Sequence, residues 1–331
     1  MKPWLFYLIG WCCCCCLALA KQPYTVMFYN VENYFDCIDD SLTNDDEFVP
    51  HKGKYWNYKR LATKRVHIAR VIAAIGQGEP PVLVGLCEVE NKEVLHQLVS
   101  YKPMSHLHYR FEHFESPDAR GIDVALLYQP QWFEPIQSRA IPVSWPDGTH
   151  SRDVLYVKGL LAGADTLHVM VCHAPSRRGG MLQSEKKRMH AMSLVRQVAD
   201  SVLAQQKNAR VLIMGDFNDT PLDQSMRSGL GALPIGENGV TSLYNLMDPA
   251  QGTYKYQGQW SLFDQMVVSK SLLQEKGCRV QNGRAYVFME DFLLQEDATY
   301  MGYKPYRTYL GPRYIGGYSD HLPIYLRLLV E

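Results

Sequence analysis

The chain has 331 residues, 47% hydrophobic and 21% charged, a globular mix that excludes a disordered or fibrous protein. Its 34 basic and 34 acidic residues give a formal charge of zero, which excludes a polybasic nucleic-acid coat. A local site acting on a phosphate ester is compatible with that balance.

The first twenty residues stand apart. Lys2 is followed by an uncharged stretch from Pro3 to Ala20 that ends Leu17-Ala18-Leu19-Ala20. A positive start, an apolar middle and a small-residue end describe a secretory signal peptide, cleaved after Ala20. The expected organisation is therefore a leader over 1–20 and one catalytic domain over 21–331, in a secreted, periplasmic or cell-envelope protein. The apolar stretch is close to the ~17-residue lower limit for crossing a bilayer, so an uncleaved membrane anchor is the second reading. Trp11, directly before the cysteine run, fits poorly with a lipoprotein site. Cys12 to Cys16 belong to the leader. The other four cysteines, Cys37, Cys87, Cys172 and Cys278, lack C-x-x-C spacing, which argues against a cysteine zinc site. Cys87 and Cys172 lie in apolar runs and read as buried thiols; no disulfide is assigned.

From Tyr24 onward there is no linker, low-complexity tract or internal repeat. A strand over Thr25–Val31 comes first. An acidic loop, Cys37 to Gly53, follows and reads as solvated. A helix over Asn57–Ile75 puts Leu61, Ile68, Val71, Ile72 and Ile75 on one face. Strands are expected over Val82–Val89, Arg110–Phe114, Asp123–Tyr128, Leu155–Leu161 and Leu167–His173. A second helix, Ser184–Gln205, aligns Met192, Val195, Ala199 and Val202. The strand Val211–Asp216 is followed by a short helix starting at Pro221, with Thr220 as its N-cap. Strands Phe263–Ser269 and Pro323–Leu328 close the chain. So many strands with helices between them predict a single α/β domain of two packed sheets with helices outside.

The strands end in polar residues that a plain core would not choose. The first runs into Asn30 and Glu32, which alternation puts on one face. Others run into Glu88, into His173, and into Asp216-Phe217-Asn218. Asp123 and Asp264 stand at strand starts, and Ser319-Asp320-His321 precedes the last strand. Singly, each is a turn or cap. Together they supply hard oxygen ligands, two histidines and two aspartates free to orient them. Carboxylate and amide oxygens from Asn30, Glu88 and Asp320 select Mg²⁺, Mn²⁺ or Ca²⁺ over zinc. Hydrolysis of a phosphate ester is the chemistry that fits.

These elements resemble, in order, those of the endonuclease/exonuclease/phosphatase superfamily with the deoxyribonuclease I-like fold. They are Phe28-Tyr29-Asn30-Val31-Glu32-Asn33, Gly85-Leu86-Cys87-Glu88-Val89, Gly121-Ile122-Asp123-Val124-Ala125, His173-Ala174-Pro175-Ser176, Gly215-Asp216-Phe217-Asn218, Phe263-Asp264-Gln265-Met266 and Ser319-Asp320-His321. The resemblance spans Tyr24 to Leu328. It implies a four-layer α/β sandwich, two packed β-sheets with helices on both outer faces. It also implies roles: Asn30, Glu88 and Asp320 around the metal with Glu32 as outer partner, and Asp216 and Asn218 positioning water and scissile phosphate. His321 would be held by Asp264, and His173 by Asp123.

The substrate is expected to be a phosphate ester, nucleic acid first, handled by a monomer without an obligate protein partner. A phosphomonoesterase and a non-catalytic binding module are the alternatives. Arg120, Arg177 and Arg178 are the candidate phosphate ligands. Tyr300 to Tyr318 holds six tyrosines with Lys304, Arg307 and Arg313. It reads either as a base-stacking surface or as a loop glued down by its tyrosines.

Overall fold

The computed structural model describes residues 23–145, 147–237 and 241–331. The expected leader, residues 1–20, lies outside them. In chain order the elements are β1 (Tyr24–Tyr34), α1 (Tyr58–Gly76), β2 (Leu83–Val89), α2 (Lys92–Ser100), the one-turn α3 (Lys102–Ser105), β3 (Arg110–His113), β4 (Asp123–Tyr128), β5 (Phe133–Ile141), β6 (Val154–Leu161), β7 (Asp165–His173), α4 (Met181–Gln205) and β8 (Arg210–Asp216). Shorter strands follow: β9 (Ala232–Pro234), β10 (Leu243–Asn245), β11 (Tyr254–Tyr256), β12 (Gln259–Ser261), β13 (Asp264–Ser269), β14 (Arg279–Val280), β15 (Tyr286–Val287), β16 (Leu294–Glu296), β17 (Tyr303–Pro305), β18 (Tyr309–Leu310), β19 (Arg313–Tyr314) and finally β20 (Ile324–Leu329).

Two seven-stranded sheets form, ordered β14-β20-β1-β2-β4-β3, with β15 also on β20, and β5-β6-β7-β8-β13-β10-β9. Period-two alternation explains why they stack. In β1, Val26 and Phe28 enter the core between the sheets, whereas Met27, Tyr29 and Val31 face the layer of α1 and α2. In β8, Leu212 and Met214 join the inter-sheet core, and Val211 and Ile213 pack with the residues of α4. Strands apolar on both faces need cover on both sides, and the result is the four-layer α/β sandwich.

The helices follow their apolar stripes. Asn57 caps α1 by accepting from the amides of Lys59 and Arg60, and Leu61, Ile68, Val71, Ile72 and Ile75 are buried. In α4, Met192, Val195, Ala199 and Val202 are buried, but the helix starts at Met181, three residues earlier than expected. The one-turn α3 and the short strands β9–β12 and β14–β19 were not predicted, and neither were two longer elements, α2 and β5. α2 is short, capped by Asn91 and anchored by Val94, Leu95 and Leu98. β5 is a largely exposed edge strand whose register shifts at Pro135, so it lacks the buried alternation that marks a strand. The helix expected at Pro221 is corrected: residues 221–223 form a turn, and a π-helical turn spans Ser225–Gly229. The Thr220 hydroxyl donates to Asp223 Oδ2 (2.9 Å) rather than capping helix amides. The four described cysteines are buried free thiols. No helix among the described residues is long and apolar enough to cross a membrane.

Candidate active site

Strand register builds the site. β7 and β8 run parallel with His173 opposite Asp216, and β8 and β13 run antiparallel with Asp216 opposite Asp264. Three adjacent strands thus present His173, Asp216 and Asp264 in one row at the end of the second sheet. Gly215 makes this row possible. A Cβ there would lie 2.3 Å from the Cys172 carbonyl oxygen, a backbone atom that has little room to yield.

The first sheet contributes through distorted strand ends. The β1–β2 register shifts between Asn30 and Tyr34, and the β2–β4 register shifts between Cys87 and Val89. Glu32, Asn33, Glu88 and Asn218 all hold left-handed backbone, with φ of 50°, 59°, 61° and 51°. Non-glycine residues rarely adopt it, and such strain gathers where side chains are re-aimed for function.

Asp216 is the hub. Its Oδ2 accepts from Asn30 Nδ2 (3.0 Å), and its Oδ1 accepts from the Asn218 amide (2.9 Å). The Nε2 atoms of His173 and of His321 each stand 3.7 Å from that same Oδ2. His321 Nδ1 lies 2.7 Å from Asp264 Oδ2, so Nδ1 carries the proton and Nε2 faces Asp216. Burial opposes charge on His321, but Asp264 and Asp216 outweigh it and hold its pKa well above the usual range. His173 goes the other way: burial, then Arg152, Arg120 and His321, push it well below. Burial and Asp264 push the Asp216 carboxyl up to about 6 against the pull of His321.

The expected partner of His173 is corrected. Asp123 lies against His113 (3.5 Å) and accepts from the Ser116 amide (3.1 Å). His173 Nδ1 is buried without a hydrogen-bond partner. The support comes from Arg152, which donates to the Ala174 carbonyl (3.0 Å) and pairs with Asp118 (3.1 Å). β4 begins at the β2 edge of the first sheet, whereas His173 ends a strand of the second. Neither Arg152 nor Asp118 sits in an apolar run, so the sequence carried no signal for them.

The metal set is placed as follows. Glu88 and Asp320 line one open cavity of ≈ 680 Å³, together with His173, Asp216, Asn218 and His321. Asn30 does not line it; its Oδ1 accepts from the Glu32 amide (2.9 Å) and its amide serves Asp216. Glu32 is buried behind, accepting from the Thr308 amide (2.6 Å), 3.6 Å from Arg307, which in turn donates to Asp320 (2.7 Å). Burial and the neighbouring Asp320 push Glu32 up to about 7, against Lys64 and Arg307. Crowded carboxylates of this kind fit a hard divalent cation. A tighter group, Asp216, Asp264 and His321, keeps its ligand atoms within 4.8 Å of one another. Asp264 and His321 are already bonded to each other there, so Glu88 and Asp320 are the better ligands.

The three arginines divide. Arg120 lines the cavity, 43% exposed, donating to Asn33 (2.6 Å) and lying 3.6 Å from Glu88. Arg177 is committed to the Asn218 carbonyl, Asp219 and Asp223, with its guanidinium over Phe263, and holds the loop rather than a ligand. Arg178 is exposed at the cavity wall, and no side-chain partner is found for it among the described residues. The 300–318 segment follows its structural reading: Tyr318 stacks on His67, Tyr309 packs by Trp56, and Lys304 pairs with Asp297. The aromatic wall comes instead from Tyr254, Tyr256 and Phe263, with Tyr254 over His321.

Residues 25–329 match the family model described as the endonuclease/exonuclease/phosphatase family. No functionally curated protein matches the sequence at a significant level. Among solved structures, an endonuclease/exonuclease/phosphatase family protein from Bacteroides thetaiotaomicron is similar, with a TM-score of 0.60 and 17% identity, covering 94% of this chain and 99% of that one. A mannosyl-6-phosphatase from the same organism has a TM-score of 0.59 and 17% identity, over 92% and 99% of the two chains. D. rerio TDP2 complexed with a single-strand DNA product has a TM-score of 0.56 and 16% identity, over 93% and 99%. Likenesses at these identities establish the fold.

Proposed function

We propose that this chain, which belongs to the endonuclease/exonuclease/phosphatase family, is a secreted, divalent-metal-dependent phosphodiesterase that hydrolyses nucleic-acid strands. The observation that carries the reading is Asp216 Oδ2 with the Nε2 atoms of two buried histidines each 3.7 Å away, inside a cavity that also holds Glu88 and Asp320. The cavity is open and aromatic-walled, which suits an extended ester better than a small closed-in one. Secretion rests on the leader-like residues 1–20.

Glu88 and Asp320 would hold the cation, Mg²⁺ or Mn²⁺ by the hardness of the oxygens. When bound, it supplies positive charge at the phosphoryl oxygens. The chain's own residues do the rest. Arg120 and Arg178 hold the phosphate. Asp264 fixes the His321 ring, whose charged Nε2–H stabilises developing negative charge. Asp216 Oδ2 takes the proton of the attacking water, with a carboxyl tuned toward neutrality. His173, kept neutral by burial, then by Arg152, Arg120 and His321, offers Nε2 to the phosphate or leaving oxygen.

The test is a phosphoester panel, with and without Mg²⁺ or Mn²⁺, comparing single-stranded DNA and RNA with a phosphodiester and a phosphomonoester of p-nitrophenol. Strand cleavage that stops in EDTA is expected. Asp216→Ala and His321→Ala are each expected to lower kcat by roughly 10³-fold while keeping a folded near-UV signal. Undiminished turnover in both variants sinks the assignment. Release of phosphate from monoesters without strand cleavage replaces it with a phosphomonoesterase.

A further inference from the structure

The catalytic cavity continues past Ser176 and Arg178. The same two residues line a second groove of ≈ 330 Å³, whose walls include His150, Arg152, Lys187 and Trp145. The groove is cationic. Its acid, Asp118, is paired with Arg152 at 3.1 Å. Arg152 still keeps a buried Nε without a hydrogen-bond partner. Arg178, His150 and Lys187 are exposed, and the Lys187 ammonium lies 4.9 Å over the Trp145 ring. α4 opens beside them with Gly180, which offers no side-chain cap, and with no acidic residue in its first turn. Its amide end therefore adds positive potential to that of the side chains.

We infer that this second groove is a subsite for the phosphate next to the scissile one, so that a single nucleic-acid strand runs from the catalytic cavity across Arg178 to Lys187 and His150. The inference rests on the phosphodiesterase reading and names the path its substrate takes. Two linked anion-binding spaces sharing one uncommitted arginine match a ligand with repeated phosphates. A substrate with a single phosphate would leave the second unused. Unstacked bases also find a platform at the catalytic cavity, where Tyr256 lines the wall and is 62% exposed.

Direct binding tests this apart from turnover. The full-length protein, held in EDTA so that no cleavage occurs, is titrated into a short fluorescein-labelled deoxythymidine strand and read by anisotropy across a salt series. Lys187→Glu and the double variant Lys187→Gln/His150→Ala carry exposed substitutions that leave the core untouched. Both are expected to weaken strand binding roughly tenfold and to flatten the log Kd against log salt slope by about one unit for each phosphate no longer held. Turnover of bis(p-nitrophenyl) phosphate with Mg²⁺ should stay within about twofold of the parent. Unchanged strand affinity and slope in both variants overturn the subsite, as does a parent protein that fails to bind the strand. A loss confined to anionic vesicles also overturns it, in favour of a membrane-facing surface. If the variants lose strand binding while the parent cleaves no ester, the groove stands and the phosphodiesterase reading falls.

Discussion

His173 and His321 flank one carboxylate at equal distance, yet the chain supports them by opposite means. His321 is gripped by a buried carboxylate 2.7 Å from its Nδ1 and is stabilised as a cation. His173 has no partner on Nδ1 and is kept neutral by burial and by nearby positive charge, Arg152 foremost. Two identical side chains around one oxygen are thus biased toward opposite charge states, by neighbours rather than by residue type. The first two substitutions below each act on one of these supports.

Among substitutions that leave Asp216 and both histidines in place, the largest effect should come from Asp264→Asn. It removes the charge that holds His321, and the amide can present its donor to Nδ1, fixing the wrong tautomer. A fall in kcat of about 10²-fold is expected, with KM for a small phosphodiester changed much less. An unchanged kcat would remove His321 from the mechanism. A smaller loss should follow Asp118→Asn, which leaves Arg152 buried without its counter-charge and loosens the residue after His173. Roughly tenfold lower kcat and a lower melting temperature are expected. Asp123→Asn, whose carboxylate lies by His113, should leave kcat within about threefold of the parent. The reverse ranking would restore Asp123 as the support of His173.

The smallest effect concerns a third buried histidine, away from the site. Burial, then Lys158, pushes His168 down to about 4, and its Nδ1 lies 2.7 Å from the Tyr156 hydroxyl. The fold needs this ring neutral. In the unfolded chain it protonates near pH 6.5, so its contribution is present above that value and is lost as the pH falls toward 4. His168→Gln should therefore flatten the decline of melting temperature between pH 7 and 4. Parallel curves for parent and variant would deny His168 that part in acid unfolding.

The sheets were legible because short, nearly continuous apolar runs repeat in β1, β2, β6, β7 and β8, and because polar residues interrupt those runs where the strands end. The same interruption exposed Asn30, Glu88, His173, Asp216 and His321 as a set. What was hidden depends on meetings across the chain. Arg177 and Arg178 are neighbours in sequence, and only the fold shows that Asp219 and Asp223 take the first while the second stays exposed. Asp118 and Arg152 are separated by β4 and β5, and nothing periodic marks either. The left-handed turns at Glu32 and Glu88 lacked the glycine that usually announces them.

The row of His173, Asp216 and Asp264 has one more consequence. Neighbouring strands sit about 4.8 Å apart whatever their side chains, so the spacing of these three groups is a graduation marked on the backbone. Loops such as 176–180 and the β11–β12 hairpin can lengthen, shorten or change sign without moving the marks. A chain built on such a ruler can vary the loops around its site while keeping the spacing of the site itself.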